Sequence, residues 1–367
     1  MFRRKTYLEN SLVLADSGEK TFDITVRDPI TTLWLLFEAT NGASYNQANT
    51  LYQCIDTIEI IDGSEVLFSL DGVEALALAA YQLRRMPPQV ISELPGNPHE
   101  ASIPILFGRW LGDQALAFDP TKFANPQLRL KWNLANVNDV GDTGFSTGSG
   151  RFTLLADVME GVPAPVGFLM SKEWYSWTTA SGGVEYIDLP KDYSVRSMLL
   201  RAEKAASYVD QIVSKIKLSC DAGKLIPFDI DTLDLIFNLN LDGYRFDYRH
   251  VFHCGNGNTL YPLLKYEEDV QLISEDLDDV VYKYPNYGYG QGAVAVYKAG
   301  SAFGAHVNTG AHVHGMCPFR TLYIPMGEDD DAETWFDPRP FGSVRLEATG
   351  ATASGSGYLV LTQARPY

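Results

Sequence analysis

Five of the six histidines fall between Leu241 and Pro318, and two of them form the triplet His312-Val313-His314. Residues i and i+2 of a strand share a face, so this pair could reach one metal ion, with His306 nearby as a third ligand. A carboxylate would normally complete such a set. Gly315-Met316-Cys317-Pro318 follows instead, and histidines without a ligand are the simpler reading. Glu328-Asp329-Asp330-Asp331 offers carboxylates for calcium but lacks the 12-residue EF-hand spacing. A solvated acidic loop is again simpler, and a cation there would pin a loop or subunit seam. Trp174, Tyr175 and Trp177 could stack on sugars, although core or interface packing explains them as well. GYGQG at Gly288–Gly292 has no strand-to-helix context for a phosphate cradle. Cys54, Cys220, Cys254 and Cys317 show no CxxC spacing and read as buried thiols. No catalytic residue, cofactor site or metal site is assigned.

The carboxylates Asp71 and Asp231 could be mistaken for a catalytic pair, but they belong to a repeat. IEIIDGSEVLFSLDGVEALAL at Ile58–Leu78 reads as strand, tight turn, strand and helix start. A diverged copy, IKLSCDAGKLIPFDIDTLDLIFN, lies at Ile216–Asn238. Placing Gly63 on Gly223 sets an offset of 160, which matches Phe68 with Phe228, Asp71 with Asp231 and Leu76 with Ile236. Upstream the offset slips to 158, so that Ile58 meets Ile216, as a two-residue change in the turn would cause. Asp71 with Glu74 forms a predicted capping box, and Asp231 is the predicted second helix cap. The first helix should stop before Pro87-Pro88.

The repeat sets the elements around it. Residues 1–19 read as a mixed lead-in. Strands are expected at Phe22–Val26, Thr31–Ala39, Ile103–Leu111, Leu128–Leu134 and Phe152–Val158, and again at Glu185–Leu189 and Val195–Glu203. The connector Gly161–Gly167, GVPAPVG, marks a junction, giving domains 1–162 and 163–367. Phe118-Asp119-Pro120 with Phe123 recurs as Phe336-Asp337-Pro338 with Phe341 at an offset of 218. The second unit therefore carries a net insertion of 58 residues, within about 241–318, and insertions that long usually serve a function. About eight short strands per half, one helix after the fourth, and no βαβ rhythm predict an all-β chain of two tandem eight-stranded jelly rolls.

Composition agrees. Charged residues are 20%, aromatics 12%, and there are 31 Gly and 19 Pro, as in a loop-rich β protein. A net charge of −17 argues against a general nucleic-acid binder. Arg3, Arg4 and Lys5 form the one local basic arm. No apolar run suits a membrane-spanning helix and no signal peptide opens the chain, so a soluble protein outside the usual secretory route is expected.

Two tandem jelly rolls, each with a helix after its hairpin and one with a long extra loop, resemble the double jelly-roll major capsid proteins of tailless icosahedral viruses. These include internal-membrane bacteriophages and, more distantly, the adenovirus hexon. IDTIEIIDGSEVLFSLDG at Ile55–Gly72 is similar to their strand–turn–strand–helix passage. The resemblance implies a homotrimer of pseudo-hexameric outline tiling a virion shell, made in the host cytoplasm, with penton or minor capsid proteins as further partners. It also implies an outward tower built by the insertion, and Arg3, Arg4 and Lys5 facing an internal membrane or genome. The alternatives are a tandem-cupin metal enzyme using His306, His312 and His314, and a carbohydrate- or receptor-binding β-sandwich using Trp174, Tyr175 and Trp177.

Overall fold

The computed structural model describes residues 2–43, 46, 50–90, 95–136, 144–204, 207–244, 246–255, 259–260, 270–274, 281–286, 293–298 and 306–367, without the side chains of 247–314. Strands β1 (Phe2–Val13), β2 (Ser17–Asp23), β3 (Ile30–Thr40), β4 (Ile55–Asp62) and β5 (Glu65–Leu70) lead into helix α1 (Gly72–Leu83). Strands β6 (Gln89–Val90), β7 (Pro98–Leu106), β8 (Pro126–Asn133) and β9 (Arg151–Glu160) follow. One sheet has the order β1-β9-β3-β7-β6, and β2-β8-β4-β5 lie opposite it. Alternation drives the layering: Ile58, Ile60, Leu128 and Leu130 point inward from one sheet, Leu33, Leu35, Leu154 and Ile103 from the other, and all are buried. Phe22 meets Phe152 across the gap, with ring centroids 5.1 Å apart.

The same plan returns. It comprises β10 (Gly167–Thr178), β11 (Val184–Asp188), β12 (Ser194–Glu203), α2 (Val209–Ile212), β13 (Val213–Cys220), β14 (Leu225–Asp231) and α3 (Thr232–Leu241). An insertion of β15 (Phe246–Gly255), β16 (Thr259–Leu260), β17 (Val270–Ser274), β18 (Val281–Asn286), β19 (Ala293–Lys298) and β20 (His306–Gly315) intervenes. The plan then closes with β21 (Thr321–Pro325), β22 (Val344–Gly350) and β23 (Ser356–Pro366). Here β10-β23-β12-β21 matches β1-β9-β3-β7, and β11-β22-β13-β14 matches β2-β8-β4-β5. The insertion makes two small sheets of its own, β15-β20-β17 and β16-β19-β18. The halves join where β5 and β10 pair in parallel, Ser69 opposite Lys172, so that eight strands run on as one sheet.

The repeat is visible in the ladders. Ile58 faces Leu70 and Ile60 faces Phe68 in the first hairpin; Ile216 faces Ile230 and Leu218 faces Phe228 in the second. Gly63 turns the first hairpin at φ +61°, and Asp221, Ala222 and Gly223 turn the second, all with positive φ. The Phe-Asp-Pro echo also repeats: Phe118 bridges Ile30 and stacks on Phe123, and Phe336 bridges Val195 and stacks on Phe341.

Several expectations shift. Residues 1–19 are no lead-in: they hold β1 and the start of β2. The Phe22–Val26 strand lies at β2, and the Ile103–Leu111 strand ends at Leu106. Strand β10 lacked a sequence signal altogether. In consequence α1 and α3 each follow the fifth strand of their half and not the fourth. Both missed strands carry register shifts, after Tyr7 in β1 and after Glu173 in β10, and a bulge destroys the period-two pattern by which strands are recognised.

Candidate functional site

Helix α1 is the part of the first half that the second half holds. Asp71 caps it by accepting from the Glu74 amide at 2.7 Å, and the Glu74 carboxyl turns back toward the Asp71 amide. Both carboxylates then meet Arg201 of β12: Asp71 through a direct ion pair, Glu74 at 3.9 Å. Glu203 holds the same guanidinium at 3.0 Å, and Tyr358 lies beneath it. Burial, then the Asp71 charge, push the Glu74 carboxyl up to about 8, against the pull of Arg201. Burial opposes the charge on Arg201, but Asp71, Glu203 and Glu74 outweigh it and raise its pKa. Glu74 is fully buried, and its Oε1 has no hydrogen-bond partner.

One turn from the other end of α1, the Tyr81 hydroxyl donates to the Thr321 carbonyl at 2.7 Å. Its ring stacks on Tyr323 at 5.0 Å and meets Phe246 edge-on at 5.3 Å. Beyond the helix, Arg84 takes a left-handed C-cap (φ 55°), lies over the Tyr244 ring, and donates to Asp329 at 2.9 Å. Asp329 also accepts from the Tyr244 and Tyr323 hydroxyls, each at 2.7 Å, and faces the buried Arg196 at 3.8 Å. Burial pushes the Asp329 carboxyl up, but Arg196, the two hydroxyls and Arg84 together hold it below the usual carboxylate range. Arg109 closes the ring, donating to the Asp330 carbonyl at 3.0 Å while Asp113 grips it through two oxygens. Within the acidic quartet only the Asp329 carboxylate is pinned, by arginines from both halves; Glu328, Asp330 and Asp331 are exposed, as a solvated loop would have them.

The second half presents the equivalent surface with apolar side chains exposed. In α3, Leu233, Phe237 and Leu241 are exposed, Leu241 to 86%. In β14, the outer strand of its sheet, Leu225 and Ile226 are exposed as well. Strand β1 is an edge of its own sheet, and there Phe2 and Tyr7 are 56% and 60% exposed.

No protein-family model and no curated protein matches the sequence. Solved structures do match the whole chain. The MCP of STIV, Sulfolobus Turreted Icosahedral Virus, aligns over 100% of this chain and 98% of its own, with TM-score 0.60 and 11% identity. The major capsid protein P2 from bacteriophage PM2 aligns over 99% and 98%, with TM-score 0.55 and 11% identity. VP54 of PBCV-1 aligns over 99% and 93%, with TM-score 0.58 and 9% identity. The chain has the double jelly-roll fold.

Within the double jelly roll the other sequence candidates find ordinary places. Asp71 and Asp231 stand at the starts of α1 and α3 in different sheets; Asp71 caps, whereas Asp231 makes no capping bond. Trp174 donates to the Asp188 carbonyl at 2.9 Å and the Tyr175 hydroxyl to Glu185 at 2.8 Å, so both are tied to β11. Trp177 lies on Gly357, where an added Cβ would sit 2.4 Å from its ring. Cys54, Cys220 and Cys317 are buried free thiols, and burial pushes Cys54 up to about 12. The side chains of Cys254, His306, His312 and His314 lie outside the described residues, as do 288–292; the backbone of β20 pairs His312 with Arg249 and His314 with Asp247. Among the described residues no cluster of His, Cys, Asp and Glu could hold a metal. Arg3, Arg4 and Lys5 are no loose arm. They lie in β1, where Arg3 and Lys5 meet Asp157 and Arg4 meets Glu160. Sequence reasoning missed Arg201 and Arg196, whose partners Asp71 and Asp329 lie more than 100 positions away.

Proposed function

We propose that this chain is a structural capsid subunit, three copies forming a pseudo-hexameric trimer that tiles an icosahedral shell. The observation that carries the proposal is full-length alignment with major capsid proteins, insertion included. Two similar barrels per chain suit the geometry: three chains supply six similar corners using threefold symmetry alone. The domains are 1–162 and 163–367, and the insertion at about 241–318 forms the tower. The chain works in the virion after synthesis in the host cytoplasm, beside neighbouring capsomers and other virion proteins. No catalytic role is proposed. The acidic net charge of −17 keeps an abundant protein soluble before assembly. Size-exclusion chromatography with light scattering tests the reading. Expected is a species of three times the 40.7 kDa chain mass, or shell-like assemblies. A monomer that persists at high concentration overturns it.

A further inference from the structure

Superposing the two ladders gives each residue of one half a counterpart in the other. Ile30 and Val195 correspond, because each is bridged by the phenylalanine of its Phe-Asp-Pro echo and each is followed by a register shift against the neighbouring strand. Ile30 faces Val158, which faces Arg4; Val195 faces Gln363, which faces Met170. Arg4 therefore corresponds to Met170, Thr6 to Lys172 and Phe2 to Phe168. The bulges agree, falling after Tyr7 and after its counterpart Glu173. On the hairpin side Ser69 corresponds to Asp229, Ala77 to Phe237 and Tyr81 to Leu241.

The joint inside the chain can now be carried over. Lys172 of β10 pairs with Ser69 of β5, and α1 lies buried beside that pairing. Their counterparts are Thr6 on β1 and Asp229 on β14, each strand a free edge of its own sheet. Positions covered in the joint are bare in the counterparts. Phe168 and Ala77 are fully buried, whereas Phe2 is 56% and Phe237 52% exposed. Edge strands that expose large apolar side chains invite pairing with another chain. Charge is complementary as well: β14 and α3 carry Asp229, Asp231 and Asp234, and β1 carries the half-exposed Arg3, Arg4 and Lys5.

We propose that the β14–α3 face of one copy docks on the β1 edge of a second copy, β14 parallel to β1, with Asp229 opposite Thr6. The contact repeats the β5–β10 joint between chains. It sets Lys5 and Asp229 within one residue of each other along the paired edges. Because the two faces differ, the contact runs head to tail, and a head-to-tail contact that closes forms a ring. The proposal rests on the trimeric reading above and specifies its interface.

The test is the full chain carrying Thr6→Cys and Asp229→Cys. The described native thiols are buried, and opposed Cα atoms in paired strands lie within disulfide reach. Mild oxidation is expected to give covalent dimers and trimers on non-reducing gels, reversed by reductant, with neither single variant doing so. Ser69→Cys with Lys172→Cys should cross-link within one chain and leave its mass unchanged. Leu233→Asp, at an exposed position, should keep the far-ultraviolet circular dichroism of the parent and shift the light-scattering mass from trimer to monomer. A trimer that forms without Thr6–Asp229 cross-linking, or that survives Leu233→Asp, overturns this interface and leaves the capsid reading intact. A parent chain that stays monomeric overturns both.

Discussion

Glu74 and Asp329 bring opposite pH dependences to the same seam. Glu74 has a higher pKa folded, about 8, than its ordinary 4.5, so protonation favours the folded seam. That contribution is complete below the ordinary value and is lost as pH rises through about 8. Asp329 is held low, so its contribution is present above the ordinary carboxylate range and is lost as pH falls through its depressed pKa. Thermal stability should therefore peak in mild acid and fall toward alkaline pH. Glu74→Gln should flatten the fall in stability between about pH 4.5 and about pH 8. Parallel melting curves for parent and variant over that range would refute the assignment. The capping box behind Glu74 was legible because it spans three residues, and such local hydrogen bonds follow from residue type. The Arg201 clamp was not, since nothing in Asp71-Gly72-Val73-Glu74 indicates a guanidinium 130 positions on.

At the scale of the element, α1 and α3 are one motif in two environments. Ala75, Ala77, Ala79 and Ala80 let α1 lie close to its surroundings, and all four are buried. In α3 the counterparts of the first two are the larger Leu235, which packs against the core, and Phe237, which is exposed. Ala77→Phe, which copies the α3 residue into α1, should overpack the seam and lower chain stability by about 1–3 kcal/mol, read as a drop in melting temperature. Phe237→Ala should cost the isolated chain far less and weaken assembly instead. Equal losses of chain stability from the two variants would contradict the asymmetry. The hairpins and helices were legible from the sequence because their turns and caps are local. Strands β1 and β10 were not, because each is interrupted by a bulge and each runs through exposed polar residues.

For the whole molecule, the duplication was readable because paired strands must keep their apolar faces in register; Ile58, Ile60, Ile216 and Leu218 preserve that order across a hairpin of altered length. The way the halves join was not readable, since a parallel bridge from Ser69 to Lys172 has no local signature. The insertion was found by arithmetic on the echo, and its sheets share no strand with the jelly-roll sheets. His250 stands opposite Ala311, so a two-residue turn could link β15 directly to β20 there. Replacing the residues between them by Asn-Gly should leave the trimer and its melting temperature nearly intact, measured by light scattering and calorimetry. Loss of the proposed trimer would mean that the insertion, and not the barrels, holds the copies together. The short 161–166 connector between β9 and β10 bears on the order of events. Two surfaces joined by a short tether meet at an effective concentration on the order of millimolar, whereas separate chains meet only at their bulk concentration. The β5–β10 joint is thereby favoured to close first, within each newly made chain. Recruitment of further copies is a later, second-order step, governed by how much protein the cell has accumulated.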